Sequence, residues 1–367
     1  MNSFRNTNLS KAKITKNDEF YTRLEDIEKE LNNYNSKIFK DKTVFCNCDD
    51  PIRSNFWVFF HMNFNRLGLK KLITTHYNMD GSSSYAMTYA SKDPKDDINF
   101  SKGHKIALKG NGDFRSDECV ELLKQSDMVV TNPPFSLFRE FVAQLEKYHK
   151  QFIIWGNNNA ITYKEIFPLI KEGKLWLGYR VNKTCYFKLS SDYSKWDEKF
   201  TAKINDGYHY GKVPAISTFT NVDTKKRHHK LKTVYRWYKR KEKYPGLYPK
   251  YVNYNAIEVS KVLQIPLDYD GLMGVPITFL DVYNPDQFEI IGYSGNLATK
   301  MSNIALKGTY QTGGRRFYSK QITNHDKQKG FKYHRHYDRI VIRNKHPEAY
   351  IISEVVAKYL DKHSSCD

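Results

Sequence analysis

The stretch that most constrains this chain is Asp127-Met128-Val129-Val130-Thr131-Asn132-Pro133-Pro134-Phe135. An apolar run stops there on an asparagine, two prolines and an aromatic, and helical spacing resumes at Ser136. Proline has no backbone N–H and a fixed φ, so Pro133 and Pro134 end any strand ladder and force a stiff, extended corner. Such a corner presents acceptors: the side-chain oxygen of Asn132 and the carbonyl of Pro133. An exocyclic purine amine is a poor nucleophile because its lone pair is delocalised into the ring. Two acceptors that each take one of its N–H groups favour the pyramidal, reactive nitrogen, which is electrostatic preorganisation for methylation of an amine. Phe135 would offer a face to the base, and a base inside a duplex must first be flipped out to reach it. Taken alone, the same residues also make a plain strand-end turn with a proline-capped helix, so the surroundings must decide.

Upstream, Phe20, Leu24, Ile27, Leu31 and Tyr34 recur at spacings of four and three, which predicts an amphipathic helix over 18–34. Thr43-Val44-Phe45-Cys46 reads as a strand leading into the acidic turn Asn47-Cys48-Asp49-Asp50-Pro51, and an apolar helix spans 54–65 with Gly68 ending it. Strand, turn and helix in that order mark where an α/β sheet binds ligands, outside the carboxyl ends of its strands. No Gly-x-Gly-x-x-Gly is present, so a phosphate-cradling loop is not indicated, whereas Asp49 and Asp50 suit an amino group or a ribose.

A second strand over 69–76, a hairpin of 85–90 with 105–108, and the turn Gly110-Asn111-Gly112-Asp113-Phe114-Arg115 follow. That turn is expected to expose an acid and an aromatic, the pair that holds an adenine ring by its amino group and its face, although the same residues equally make a plain turn. Beyond the corner come helices at 136–149 and 163–170 and strands at 152–155, 174–178, 184–189 and 214–220. The alternation predicts an α/β fold: a mainly parallel, Rossmann-like sheet with helices on both faces.

Charge then divides the chain. Residues 1–222 carry a net +7, while 223–367 carry +12 over a shorter length, within a total of +19. We expect two domains with that boundary, the second basic, β-rich at 277–282, 288–293 and 339–343, and bound to nucleic acid. The candidate DNA contacts are Lys225, Lys226, Arg227, Lys230, Arg236, Lys239 and Arg240, interleaved with aromatics, and Arg315 and Arg316 in a glycine-flexed loop. Five scattered cysteines build neither a disulfide framework nor a metal site. No apolar run reaches membrane-spanning length and the polar start lacks a signal-peptide core, so a cytoplasmic protein without a membrane partner is expected.

These features, in this order, are similar to the EcoRI-type adenine-specific DNA methyltransferases over nearly the whole chain. The stretches that carry the resemblance are 18–22, 26–31, Cys48-Asp49-Asp50-Pro51, Asn132-Pro133-Pro134-Phe135, Ala256-Ile257-Glu258-Val259 and 274–280. The tetrapeptide is widely shared among amino methyltransferases; the acidic turn and the later blocks are more specific. The resemblance implies transfer of a methyl group from S-adenosylmethionine to the 6-amino nitrogen of adenine in double-stranded DNA, with no metal and no covalent enzyme intermediate. It implies that Phe20 and Tyr21 contact the cofactor, Asp49 and Asp50 its methionine moiety, and Asp113 and Phe114 its adenine. Asn47 and His76, at the ends of the first two strands, fall on the same cofactor side. Asn132, Pro133, Pro134 and Phe135 match the catalytic tetrapeptide, and Phe219 is a candidate second stacking face. A monomer on DNA is expected, with a restriction endonuclease as a possible companion acting on the same site without contact. The sequence departs from the usual methyltransferase pattern in lacking the glycine-rich first motif and a ribose-binding carboxylate after the second strand, where Asp80 is the nearest acid. Two other readings stay open: an RNA or protein amino methyltransferase, and a non-catalytic DNA-binding protein of the same fold.

Overall fold

The computed structural model describes residues 21–78, 80–90, 103–188, 201–203, 209–240 and 242–348. Phe20 and the start of the expected first helix lie outside these residues. The chain divides into two compact units, Met1–Thr224 and Lys225–Asp367.

The first unit opens with a two-residue strand, β1 (Tyr21–Thr22), and helix α1 (Leu24–Leu31). The expected helix is therefore shorter than its periodicity suggested, because Tyr21 and Thr22 pair with Lys188 and Phe187 of a later strand. Next come β2 (Thr43–Cys46), α2 (Asn55–Met62), α3 (Phe64–Leu67) and β3 (Lys71–Thr75). Ser54 caps α2 by accepting the Phe56 N–H, and Gly68 closes α3 at φ 65°. The hairpin β4 (Tyr85–Ala90) and β5 (His104–Ala107) precedes α4 (Asp117–Gln125), β6 (Met128–Thr131) and α5 (Phe138–Lys147). Then follow β7 (Gln151–Asn157), α6 (Phe167–Lys171), β8 (Trp176–Leu177), β9 (Lys183–Lys188), β10 (Thr201–Lys203) and β11 (His209–Thr220). The helix expected over 163–170 starts only at Phe167, since Pro168 cannot donate inside a helix but is tolerated in its first turn.

These strands make one mixed sheet, ordered β1-β9-β11-β7-β6-β2-β3-β4-β5 with β8 and β10 on β11. Its centre, β7-β6-β2-β3, is parallel, and both flanks are antiparallel. Only the centre is fed by helical crossovers; the β4–β5 hairpin and β11 reverse direction. Asp127 pins the central register, since its carboxylate accepts the Thr43 N–H at 2.7 Å and its own N–H donates to Thr43 O at 2.9 Å. Central residues alternate between the faces. Phe56 of α2 meets Trp155 edge-on at 5.0 Å on one face, and Phe138 of α5 meets Phe219 at 5.1 Å on the other. All four rings are essentially inaccessible, and burying each stabilises the fold by roughly 1.5–3 kcal/mol relative to exposure.

The second unit holds β12 (Ile257–Glu258), β13 (Met273–Pro276), β14 (Phe288–Tyr293), β15 (Tyr318–Ser319), β16 (His334–Arg335) and β17 (Arg339–Asn344). Four form a sheet ordered β12-β13-β17-β14, and β15 pairs with β16. The strand expected over 277–282 sits just before it: Pro276 ends β13 and Ile277–Asp281 is a 3-10 turn. Inside lies a buried ion pair, Glu258 with Arg339, at 2.8–3.1 Å. Among the described residues no helix is long and apolar enough to cross a membrane.

Candidate active site

Because β2 and β6 run parallel, with Phe45 opposite Val129, their carboxyl ends open side by side. The turn after β2 reverses through Cys48 at φ 66°, a left-handed conformation that costs a non-glycine residue roughly 1–2 kcal/mol. Asn47 holds the turn: its Oδ1 accepts the Thr75 hydroxyl at 2.8 Å and the Cys48 N–H at 3.0 Å. Its Nδ2 is buried with no hydrogen-bond partner among the described residues.

The two acids of the turn have different fates. Asp50 receives the Tyr85 hydroxyl and the Ile52 N–H, each at 3.0 Å, on Oδ1, while Oδ2 has Arg53 at 3.9 Å. Asp49 points inward and is 3% exposed. Its Oδ1 accepts the Ser54 hydroxyl at 2.9 Å and its Oδ2 that of Thr131, and the Asn132 N–H also donates to this carboxylate. Burial pushes the Asp49 carboxyl up to about 7 despite those donors. The resemblance placed Asp49 against the cofactor's methionine moiety; in the structure its carboxylate accepts from Ser54, Thr131 and the Asn132 N–H.

From β6 the chain passes through Thr131 into the corner. Asn132 is 7% exposed, and Phe135 is half-buried, edge-on to Phe187 at 6.3 Å. Asn157, at the carboxyl end of the neighbouring β7, accepts the Asn159 N–H and keeps a buried Nδ2 with no partner among the described residues. Phe219 does not join this group. It lies on β11 opposite Ile154, is 0% exposed and packs edge-on against Phe138 in the core.

On the other side, β3 is followed by His76, whose Nδ1 lies 2.8 Å from Ser84 Oγ and whose ring stacks on Tyr85 at 5.3 Å. The 110–115 turn packs against this strand end through Asn78 N–H to Asn111 O and Ser84 N–H to Gly110 O, at 2.7 and 2.9 Å. Gly112 makes that approach possible, since a Cβ there would fall 1.9 Å from His76 O. The turn does not expose its aromatic: Phe114 is 3% exposed and packs on Phe141 at 5.1 Å. Asp113 is held by the guanidinium of Arg115, which keeps its carboxyl below the usual range. Tyr21 sits in β1 opposite Lys188.

Sequence reasoning missed Thr131, Ser54 and Tyr85 as site residues. Ser54 carried a signal as a helix cap and Thr131 as the residue before the corner, but their shared attachment to Asp49 crosses 82 positions of sequence in the Thr131 contact.

The expected DNA contacts of the second unit are unevenly committed. Lys226 pairs with Asp281 and Arg236 with Glu348 at 2.6 Å. Arg240 lies over Trp237 at 3.8 Å and Lys239 over Tyr238 at 5.4 Å. Lys225 and Lys230 are exposed and Arg227 is partly so. Exposed pairs of this kind contribute about 0–1 kcal/mol, too little to withhold a cation from a phosphate. Arg315, Arg316, Gly313, Gly314, Thr312 and Lys300 line one cavity of about 320 Å³, with Arg316 fixed by Asp338 at 2.9 Å.

The family profile described as adenine-specific methyltransferase EcoRI matches residues 8–345. Type II methyltransferase M.MpnI of Mycoplasma pneumoniae is 41% identical over 92% of this chain and 98% of its own length. Type II methyltransferase M.EcoRI of Escherichia coli is 45% identical over 82% of this chain and 94% of its own. M.MgeORF184P of Mycoplasma genitalium, also a Type II methyltransferase, is 45% identical over 81% and 91%. No solved structure gives a significant match. With a corner of the expected kind at the head of a parallel sheet and a match over nearly its whole length, this chain belongs to the EcoRI family of adenine-specific methyltransferases.

Proposed function

We propose that this protein transfers a methyl group from S-adenosylmethionine to the 6-amino nitrogen of an adenine flipped out of duplex DNA, the first unit being catalytic and the second reading the target. The observation that carries this reading is the Asn132–Phe135 corner opening beside the Asn47–Asp50 turn, at the carboxyl ends of two parallel strands. Bound S-adenosylmethionine supplies a methyl group already activated as a sulfonium, so the protein's task is alignment. The residues beside the corner fit that molecule: the unused Nδ2 of Asn47 suits its carboxylate, and Asp50 suits its amine. Asn132 Oδ1 and the Pro133 carbonyl each accept one N–H of the adenine amine, while Phe135 stacks on the ring. The methylated nitrogen then sheds its extra proton to water. The net +12 over 223–367 supplies phosphate contacts, Arg315 and Arg316 among them.

The test gives purified protein labelled S-adenosylmethionine with duplex DNA or RNA. Label on N6 of adenine in the duplex is expected, and Asn132→Ala should lose on the order of 10²–10³-fold in kcat. Absence of transfer to DNA refutes the activity, transfer to RNA alone moves the substrate, and unchanged transfer by Asn132→Ala refutes the assigned role of the corner.

A further inference from the structure

Thr131 Oγ lies within hydrogen-bonding distance of two acceptors, the Asp49 carboxylate and the main-chain oxygen of Asn47. One hydroxyl has one hydrogen, so it serves only one acceptor at a time. With Asp49 ionised, Thr131, Ser54 and the Asn132 N–H all donate to its carboxylate. With Asp49 protonated, its O–H can donate a hydrogen bond to Thr131 Oγ, which turns its own hydrogen to Asn47 O. The carboxylate therefore joins three elements: the turn after β2, the cap of α2 and the last residue of β6 with the first of the corner. Thr74 Oγ1 lies within hydrogen-bonding distance of the main-chain oxygens of both Asp49 and Cys46, which share its one hydrogen.

We propose that Asp49 is a positioning residue, holding Asn132 in register with the bound methyl donor, and not a contact of that donor. This rests on the methyltransferase reading above. Ionised, the carboxylate makes charge-assisted bonds, the stronger set, so the corner is held best when Asp49 is charged. Burial places that ionisation near neutrality, at about 7. The ionisable groups acting on it are Asp50 in the same turn and the buried Cys46 thiol on β2, which burial pushes well above its ordinary value. Ser54, Thr131 and Asn132, from the other packed elements, carry no charge.

The experiment compares wild type, Asp49→Asn, Thr131→Val and the double variant for kcat on duplex DNA across pH, and for S-adenosylmethionine affinity by calorimetry. Asp49→Asn puts an amide donor among donors. Its kcat is expected to fall on the order of 10²-fold, while cofactor Kd stays within about threefold. Thr131→Val should fall in the same direction, and the double variant should be no worse than Asp49→Asn because one interaction is removed twice. Wild-type kcat should rise with pH through about 7 as Asp49 ionises, and that step should vanish in Asp49→Asn. If Asp49→Asn does not fold, Thr131→Val carries the test. A Kd weakened tenfold or more with kcat retained overturns the proposal, because Asp49 would then be a cofactor contact; so does wild-type kcat in Thr131→Val. A wild type that binds S-adenosylmethionine but methylates nothing sinks the parent reading and this proposal with it.

Discussion

Replacing Arg339 by leucine strands a wholly buried acid. Glu258 is 0% exposed, and Arg339 gives it contacts at 2.8, 3.0 and 3.1 Å, with the Tyr251 hydroxyl and the His336 ring as neighbours. Burial works against the charge of Glu258, but the hydrogen bonds of Arg339, with the charges of His336 and Arg339 and the Tyr251 hydroxyl, outweigh it and hold the carboxyl below its usual range. Without the guanidinium, Glu258 must be protonated to stay inside. At pH 7, binding that proton to a group whose ordinary value is about 4.3 costs at least about 3.7 kcal/mol, at 1.36 kcal/mol per pH unit. This agrees with the roughly 3–5 kcal/mol expected for breaking a buried pair from one side. The sign follows from linkage. A depressed acid adds stability above its unfolded value and loses it as pH falls, so the deficit of Arg339→Leu should be full at pH 7 and close near pH 4. Removing both charges, as Glu258→Met with Arg339→Leu, should recover most of the loss. Amide hydrogen exchange in β13 and β17 reads the opening free energy directly. A loss below about 1 kcal/mol in the single variant, or a double variant no more stable than the single, refutes the reasoning.

Gly112→Ala should lower the melting temperature of the first unit. Its φ of 81° and a Cβ 1.9 Å from His76 O leave no unstrained solution, the backbone term alone costing about 1–2 kcal/mol; an unchanged melting temperature would show that the turn can move away from β3. Arg315→Ala should weaken DNA binding similarly for all sequences and lower the slope of log K against log salt by about 1, as for one lost phosphate contact. If anisotropy titrations show instead an unchanged slope and a relaxed sequence preference, Arg315 reads a base.

Much of the site's framework was legible because it depends on local chemistry. Pro133 and Pro134 cannot continue a ladder anywhere, and β6 ends one residue before Asn132. Thr43–Cys46, too β-branched and apolar to be anything but an interior strand, is buried at all four positions. Gly68 terminated its helix as expected. Where local signals competed with distant ones, local reading failed. Tyr21 and Thr22 lay inside the expected helix yet joined β9, because pairing at a sheet edge won over the end of an amphipathic helix.

The side chains show the same division more sharply. Phe114 and Phe219 had the right residue type beside the right neighbours to face a ligand, but aromatic side chains bury wherever an apolar wall is within reach, and Phe141 and Phe138 supply those walls. Sequence alone determined that an Asn-Pro-Pro-Phe corner follows a strand, that an acidic turn follows another, and that basic charge gathers in the last 145 residues, 223–367. Only the tertiary structure decided that β2 and β6 lie side by side, and hence that Asp49 grips Thr131 and Asn132 while Asp50 meets Tyr85 and Arg53. Residue types and backbone preferences are properties of short stretches, whereas the direction a carboxylate faces is set by donors that only the folded sheet brings to it.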